Sequence, residues 1–297
     1  MSRLNRRNFL QVSTGAMAAL AYGAQSGTAA AAMELPKAAA VRTLGNTGLS
    51  ASYLGIGTGI KGSAPNITKL KLELTGNEFI GLLEHAYRQG ITFFDLADRY
   101  GSHDYMREAL KRSVPREKVM LLSKIWSREP GQVQKDLDRM RKELNVDCID
   151  VVLMHCLRGG EDDWPKTLRA TMDVLSEAKA KGHIKAHGVS CHTLQSLDRV
   201  AETGWCEVVM ARINPLGSRM DGPVDKVVPI LRRIHAAGKG IVGMKIFGEG
   251  DPALLAKMDE SIKFAGELGV LNAMTIGFMS TQELDDTMSR INRIASA

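Results

Sequence analysis

Past residue 40 the chain alternates between two hydrophobic rhythms. Runs of six to eight residues dense in apolar side chains, "YLGIGT", "ITFFDLA", "VMLLSKI", "IDVVLMHC", "KAHGVSC", "EVVMARIN", "GIVGMKIF" and "AMTIGF", are separated by longer segments of helical length. Runs this continuously apolar have the length and texture of parallel strands buried on both faces. The segments between them, such as "NEFIGLLEHAYRQG", "GQVQKDLDRMRKEL", "VDKVVPILRRIHAAG" and "TQELDDTMSRINRIAS", place apolar residues three and four apart, which makes a one-sided helix. Several end in glycine, at Gly90, Gly182, Gly204, Gly238 and Gly269. Glycine there reads as a left-handed C-cap before the next strand. Strand then helix, eight times over, predicts an α/β fold, a single-domain (β/α)8 TIM barrel. A doubly wound open sheet is the competing arrangement. It lacks its GxGxxG fingerprint, because "LGIGTG" runs into a loop instead of a helix.

The first thirty or so residues do not follow this rhythm. "NRRNFLQVSTGAMAALAYGA" joins a basic start to a modest apolar stretch, and "GTAAAAMELPK" then offers small-residue cleavage sites near Ala32. The stretch is too short, and too diluted by Ser13, Thr14 and Gly15, to span a bilayer. Arg6 and Arg7 followed by Phe9 and Leu10 resemble a twin-arginine export signal, which is read by a translocase that carries folded proteins. The alternative is a frayed amphipathic helix. The expected organisation is a signal peptide over 1–32, a linker over 33–40 and the barrel over 41–297. Its expected partner is the twin-arginine translocase during export, and its expected location is periplasmic or secreted, with no membrane anchor after cleavage. Removing Arg3, Arg6 and Arg7 lowers the formal net charge from +6 to +3, too mild to imply nucleic acid or an anionic membrane. The four cysteines, Cys148, Cys156, Cys191 and Cys206, have no CxxC spacing and read as ordinary thiols, with one disulfide left open.

In a barrel, chemistry belongs at the C-terminal ends of strands and in the loops that follow. Asp95 closes the second run, with Asp98, Arg99 and Tyr100 just beyond; Lys124, His155 and Ser190 close the third, fourth and fifth, and Lys245 lies near the end of the seventh. A charged group at the apolar centre of a barrel is costly unless paired, so Asp95, Lys124 and His155 are expected to face one another beside Tyr100. A Lys ammonium beside a phenol favours phenolate, and so is expected to lower the Tyr100 pKa. A neutral His155 could donate to a carbonyl oxygen held against the Tyr hydroxyl. That is an electrophilic site for carbonyl chemistry. No metal site is expected, since His187 and His192 fall on opposite sides of one strand. Trp126 and Trp164 either line a substrate mouth or pack structurally.

These stretches resemble an aldo-keto reductase. "VRTLGNTGLSASYLGIGTG" is similar to that family's opening β-hairpin and first strand, "FFDLADRYG" to its Asp and Tyr motif, and "LLSKIW", "VVLMHC" and "GHIKAHGVSCHT" to its lysine, histidine and fifth-strand motifs. The resemblance implies Tyr100 as general acid, Lys124 and Asp95 as the pair that tunes it, and His155 as substrate orienter for a small carbonyl substrate. It implies a nicotinamide dinucleotide, by family habit NADP(H), with NAD(H) also open. The positions matching the family's cofactor contacts are Ser190, Cys191, Met210, Met244, Lys245, Gly248, Gly277, Ser280 and Asp286. Cys191, Met210 and Met244 replace the usual Asn, Gln and ring-stacking aromatic. "TIGFMSTQELDDT" lacks the basic residues that grip a 2′-phosphate and has Glu283 instead. Two other functions stay open: a barrel with an eroded dinucleotide site that binds without catalysis, and a cofactor-free isomerase or lyase.

Overall fold

All eight apolar runs become parallel strands. The computed structural model describes residues 35–59, 74 and 76–297, so the expected export signal lies outside the described residues. A short antiparallel hairpin of β1 (Val41–Thr43) and β2 (Ser50–Ser52) precedes β3 (Leu54–Gly57). The remaining strands are β4 (Phe93–Asp95), β5 (Met120–Ile125), β6 (Ile149–Leu157), β7 (Ile184–Cys191), β8 (Val208–Arg212), β9 (Gly240–Met244) and β10 (Ala273–Ile276). They pair in chain order from β3, and β10 returns to pair with β3, which closes the barrel.

The helices α1 (Gly76–Arg88), α2 (His103–Arg112), α3 (Pro130–Leu144), α4 (Trp164–Thr167), α5 (Arg169–Ala180), α6 (Leu194–Glu202), α7 (Val224–Ala236), α8 (Pro252–Leu255), α9 (Met258–Glu267) and α10 (Thr281–Ile294) cover its outside. The segments of helical length "DWPKTLRATMDVLSEAKAKG" and "LLAKMDESIKFAGELG" are each broken into two helices. The backbone leaves helical geometry at Leu168 (ψ 22°) and at Lys257 (φ −130°), a tertiary effect that spacing alone does not reveal. Four of the five predicted capping glycines are left-handed; Gly204 is not. Among the described residues no helix is long and apolar enough to cross a membrane.

Period-two alternation divides each strand between two apolar clusters. Phe93, Leu122, Leu153, Ala186, Val208 and Val242 fill the barrel. In the opposite phase, Phe94, Leu121, Val152, Val189, Val209 and Ile241 pack outward under the helices. The interior side chains form a core, not a pore. Leu44, in the hairpin, belongs to the interior cluster and is buried. Where it is described, the expected linker is packed: Ala38 is buried, and its N–H donates to the Asn292 side chain of α10 at 2.9 Å. The four cysteines are free thiols.

Candidate active site

The same alternation, carried one step past the apolar interior, produces a polar layer. Asp95 lies two residues beyond Phe93, Lys124 two beyond Leu122, His155 two beyond Leu153, and Thr275 two beyond Ala273. Their side chains therefore enter the barrel from β4, β5, β6 and β10 at its C-terminal end. Lys124 is 1% exposed and Asp95 4%. The Lys124 ammonium ion-pairs with Asp95 Oδ1 and donates to Leu96 O at 2.9 Å and to the Tyr100 hydroxyl at 3.4 Å. Thr275 Oγ1 donates to the second Asp95 oxygen at 3.2 Å. The buried pair is thus bonded on both sides, which is the condition for keeping charge inside a core.

Tyr100 reaches this layer because its loop is pinned. Leu96 N–H and Asp98 N–H donate to the Leu122 and Lys124 carbonyls of β5, and a turn closed by Tyr100 N–H to Ala97 O swings the phenol back over the lysine. The ring packs on bare backbone at Gly59, where a Cβ would lie 2.5 Å from it. The ammonium stands 4.6 Å from the Tyr100 ring centroid. Burial raises the Tyr100 pKa and outweighs the opposing pull of Lys124, so the phenol is above its ordinary value and not below it. Proximity to lysine had led to the opposite expectation; desolvation is what sequence spacing does not reveal. Burial works against the Lys124 charge, but Asp95 and Tyr100 prevail, and its pKa is raised.

His155 meets Tyr100 edge-on, with ring centroids 5.5 Å apart. Burial lowers its pKa, which keeps the imidazole neutral. Its Nδ1 lies 4.0 Å from Asp98 Oδ1, too far for a hydrogen bond, and neither atom has another partner among the described residues. The other Asp98 oxygen accepts the Trp126 N–H at 2.8 Å. Directly after His155 the strand is irregular: Cys156 adopts φ 59° and the pairing register with β7 shifts. Arg128 holds this end, donating to His155 O at 2.7 Å and Trp126 O at 2.8 Å while pairing with Glu161.

The residues matched to cofactor contacts divide into two groups. Ser190, Met210 and Met244 lie on β7, β8 and β9, with Met210 and Met244 in the interior cluster and Ser190 paired in register with Met210. Ser190 Oγ accepts from Cys156 N–H at 3.2 Å, which leaves its own hydrogen to give. Cys191 goes elsewhere: it packs in the outer cluster, and burial pushes its thiol well above the ordinary range. Lys245 is left-handed (φ 60°) and paired with Glu249, and Gly248 closes a turn onto its carbonyl. Gly277 follows β10 and is exposed. Ser280 caps α10 by accepting from Glu283 N–H at 3.1 Å, and the Glu283 carboxylate reaches back to Met279 N–H at 2.7 Å. Asp286 is exposed and held by Arg290. The residues among these that suit the nicotinamide end of a dinucleotide are Ser190, with a hydroxyl hydrogen to give, and the flexible thioethers Met210 and Met244 of the interior cluster. At the other end the nearest cation already has a carboxylate, and α10 opens with its own acid.

Trp164 is fully buried and donates to Ser196 O at 3.1 Å, so it does not line a mouth. Trp126 is part-exposed and meets His155 edge-on at 5.5 Å. His187 faces outward, stacked on Trp205 at 4.3 Å. His192 is half-buried near cations: burial first, then the charge of Arg212, lower its pKa to about 3. Arg212 had drawn no attention in the sequence. It follows Met210 into the interior by alternation, pairs with buried Asp221 at 2.6 Å and donates to His192 O at 3.0 Å.

Fold and site together define a closed (β/α)8 barrel with buried Asp95, Lys124 and His155 at the C-terminal ends of three successive strands and a half-buried Tyr100 from the loop after β4. Residues 54–294 match the Aldo/keto reductase family, and the chain belongs to it. It is 28% identical over 259 residues to D/L-glyceraldehyde reductase of Hypocrea jecorina, covering 78% of this chain and 72% of that protein. It is 26% identical over 194 residues to Aldo-keto reductase family 1 member A1 of Mus musculus, a match that spans only 58% of either chain. A crystal structure from Pseudomonas aeruginosa, itself assigned by likeness to the aldo-keto reductases, superposes with a TM-score of 0.73 at 23% identity, over 89% of this chain and 99% of that one.

Proposed function

We propose that this protein reduces an aldehyde or ketone, or oxidises the corresponding alcohol, with Tyr100 as the proton donor and acceptor. The observation that carries the reading is the bonded chain from Thr275 through Asp95 and Lys124 to the Tyr100 hydroxyl. A bound nicotinamide dinucleotide supplies or accepts the hydride. Ser190 is the residue to hold its carboxamide, and Met210 and Met244 to pack beside its ring. In the reducing direction the neutral Tyr100 gives its proton to the carbonyl oxygen, and the phenolate left behind is stabilised by Lys124. His155, kept neutral by burial, donates to the same oxygen and holds it in place. A barrel that only bound a ligand would have no physical reason to bury Lys124 and Asp95 at this layer.

NADP(H) is what family resemblance implies. The acid-rich opening of α10, with Glu283 beside Ser280 and no Lys or Arg over 277–286, supports NADH instead. Titrating the protein with both forms while following fluorescence decides the matter: tighter NADH binding is expected, and failure of both forms to bind at about millimolar concentration overturns the reductase reading. If dinucleotide binds, Tyr100→Phe is expected to lower kcat by roughly 10²- to 10⁴-fold, the usual scale of a general acid. We also propose that residues 1–32 direct export of the folded protein by the twin-arginine route to the periplasm or beyond. Arg6→Lys with Arg7→Lys is expected to abolish that export in a cell-fractionation assay.

A further inference from the structure

Trp126 carries two arginines on its ring. The guanidinium carbon of Arg99 lies 4.2 Å from the ring centroid and that of Arg158 4.9 Å. Both residues are exposed, and neither guanidinium has a carboxylate partner among the described residues. Their neighbour Arg128 differs: its guanidinium is consumed by Glu161 and by the Trp126 and His155 carbonyls. A guanidinium resting on an indole is held in position by cation–π attraction while its edge N–H groups stay available. The same ring meets His155 edge-on at 5.5 Å, and Arg99 immediately precedes Tyr100. The Trp126 ring therefore touches both His155 and two guanidiniums that have no carboxylate partner among the described residues. Of the nearby acids, Glu161 is engaged by Arg128, and Asp98 accepts the Trp126 N–H through one of its oxygens.

We propose that the substrate is an aldehyde or ketone that also carries a carboxylate, and that Arg99 and Arg158 bind this carboxylate beside Trp126 while the carbonyl meets Tyr100 and His155. A guanidinium edge matches a carboxylate in two parallel hydrogen bonds, and arginines already ordered on a ring lose little freedom on forming them. Because one indole contacts both His155 and the two guanidiniums, the spacer to test between carbonyl and carboxylate is a single benzene ring. The proposal deepens the carbonyl-reductase reading and rests on it.

The experiment compares 4-carboxybenzaldehyde with 4-carbamoylbenzaldehyde, which share ring and carbonyl and differ in charge. The ratio of their kcat/KM values is measured for the wild type, for Arg99→Gln, for Arg158→Gln and for the double variant. A wild-type ratio of about tenfold or more in favour of the carboxylate, falling towards one in the double variant and shrinking as salt is raised, is expected. A wild-type ratio near one, or a ratio that survives the double substitution, overturns the proposal. Equilibrium binding of the same two compounds, followed by tryptophan fluorescence, is read whether or not either is turned over. If neither is reduced, dinucleotide binding still decides the reductase reading; tighter binding of the carboxylate, lost in the double variant, then still supports the arginine site, and equal binding overturns it.

Discussion

Lys124, Asp95 and His155 were legible as a group because each closes an apolar run with a residue that the centre of a barrel accepts only when paired. What spacing could not convey was the strength of desolvation at each atom. Tyr100 is raised and not lowered, and His155 is held neutral, because both are buried deeply enough for that effect to exceed the neighbouring charges. The same physics acts on His192, whose folded pKa of about 3 lies below its unfolded value of about 6.5. Below pH 6.5 the unfolded chain takes up a proton that the folded protein refuses until about pH 3, so this residue's contribution to stability is present at neutral pH and is lost as pH falls through that window. His192→Gln should therefore flatten part of the fall in Tm between pH 6.5 and 4; an unchanged slope would mean the imidazole is solvated. Cys191 shows the opposite limit of sequence reading. It follows Ser190 directly, but alternation turns it outward, so adjacency in the chain did not bring it to the site.

At the scale of elements, the strands were found where apolar runs occur, and helix breaks at Leu168 and Lys257 were not, since continuous helical spacing runs through both. The barrel wall imposes a steric demand that only its closure reveals. A Cβ on Gly188 of β7 would lie 1.7 Å from the Val208 carbonyl oxygen of β8. Gly188→Ala should separate these two strands and cost about 1–3 kcal/mol or more, measured by chemical denaturation. If stability is unchanged, the β7–β8 contact is looser than described. The irregularity after His155 has a similar origin: Cys156 is left-handed, and its N–H is turned to Ser190 Oγ where two strands part at the mouth of the site.

Across the whole molecule, the hairpin of β1 and β2 places Leu44 in the barrel interior, and Gly45 lies so close to β9 that a Cβ there would be 2.3 Å from Gly240 N. Leu44→Ala should lower stability by about 2–4 kcal/mol through the cavity it opens, read as a lower denaturation midpoint with an unchanged slope. A much smaller loss would show that the hairpin does not seal the barrel. The sequence by itself determined the eight repeats, the barrel they build and the strand ends that carry Asp95, Lys124 and His155. It did so because burial on both faces writes a continuous apolar run, and a polar residue ending such a run stands out. Tertiary structure alone decided the protonation tendencies of Tyr100 and His155, the pairing of Lys245 with Glu249, the role of Trp164 as core, and the gathering of Arg99 and Arg158 on Trp126. Apart from the Lys245–Glu249 pair, which a turn within one loop brings together, these depend on distances between residues from separate βα units, and such distances exist only once the barrel has closed.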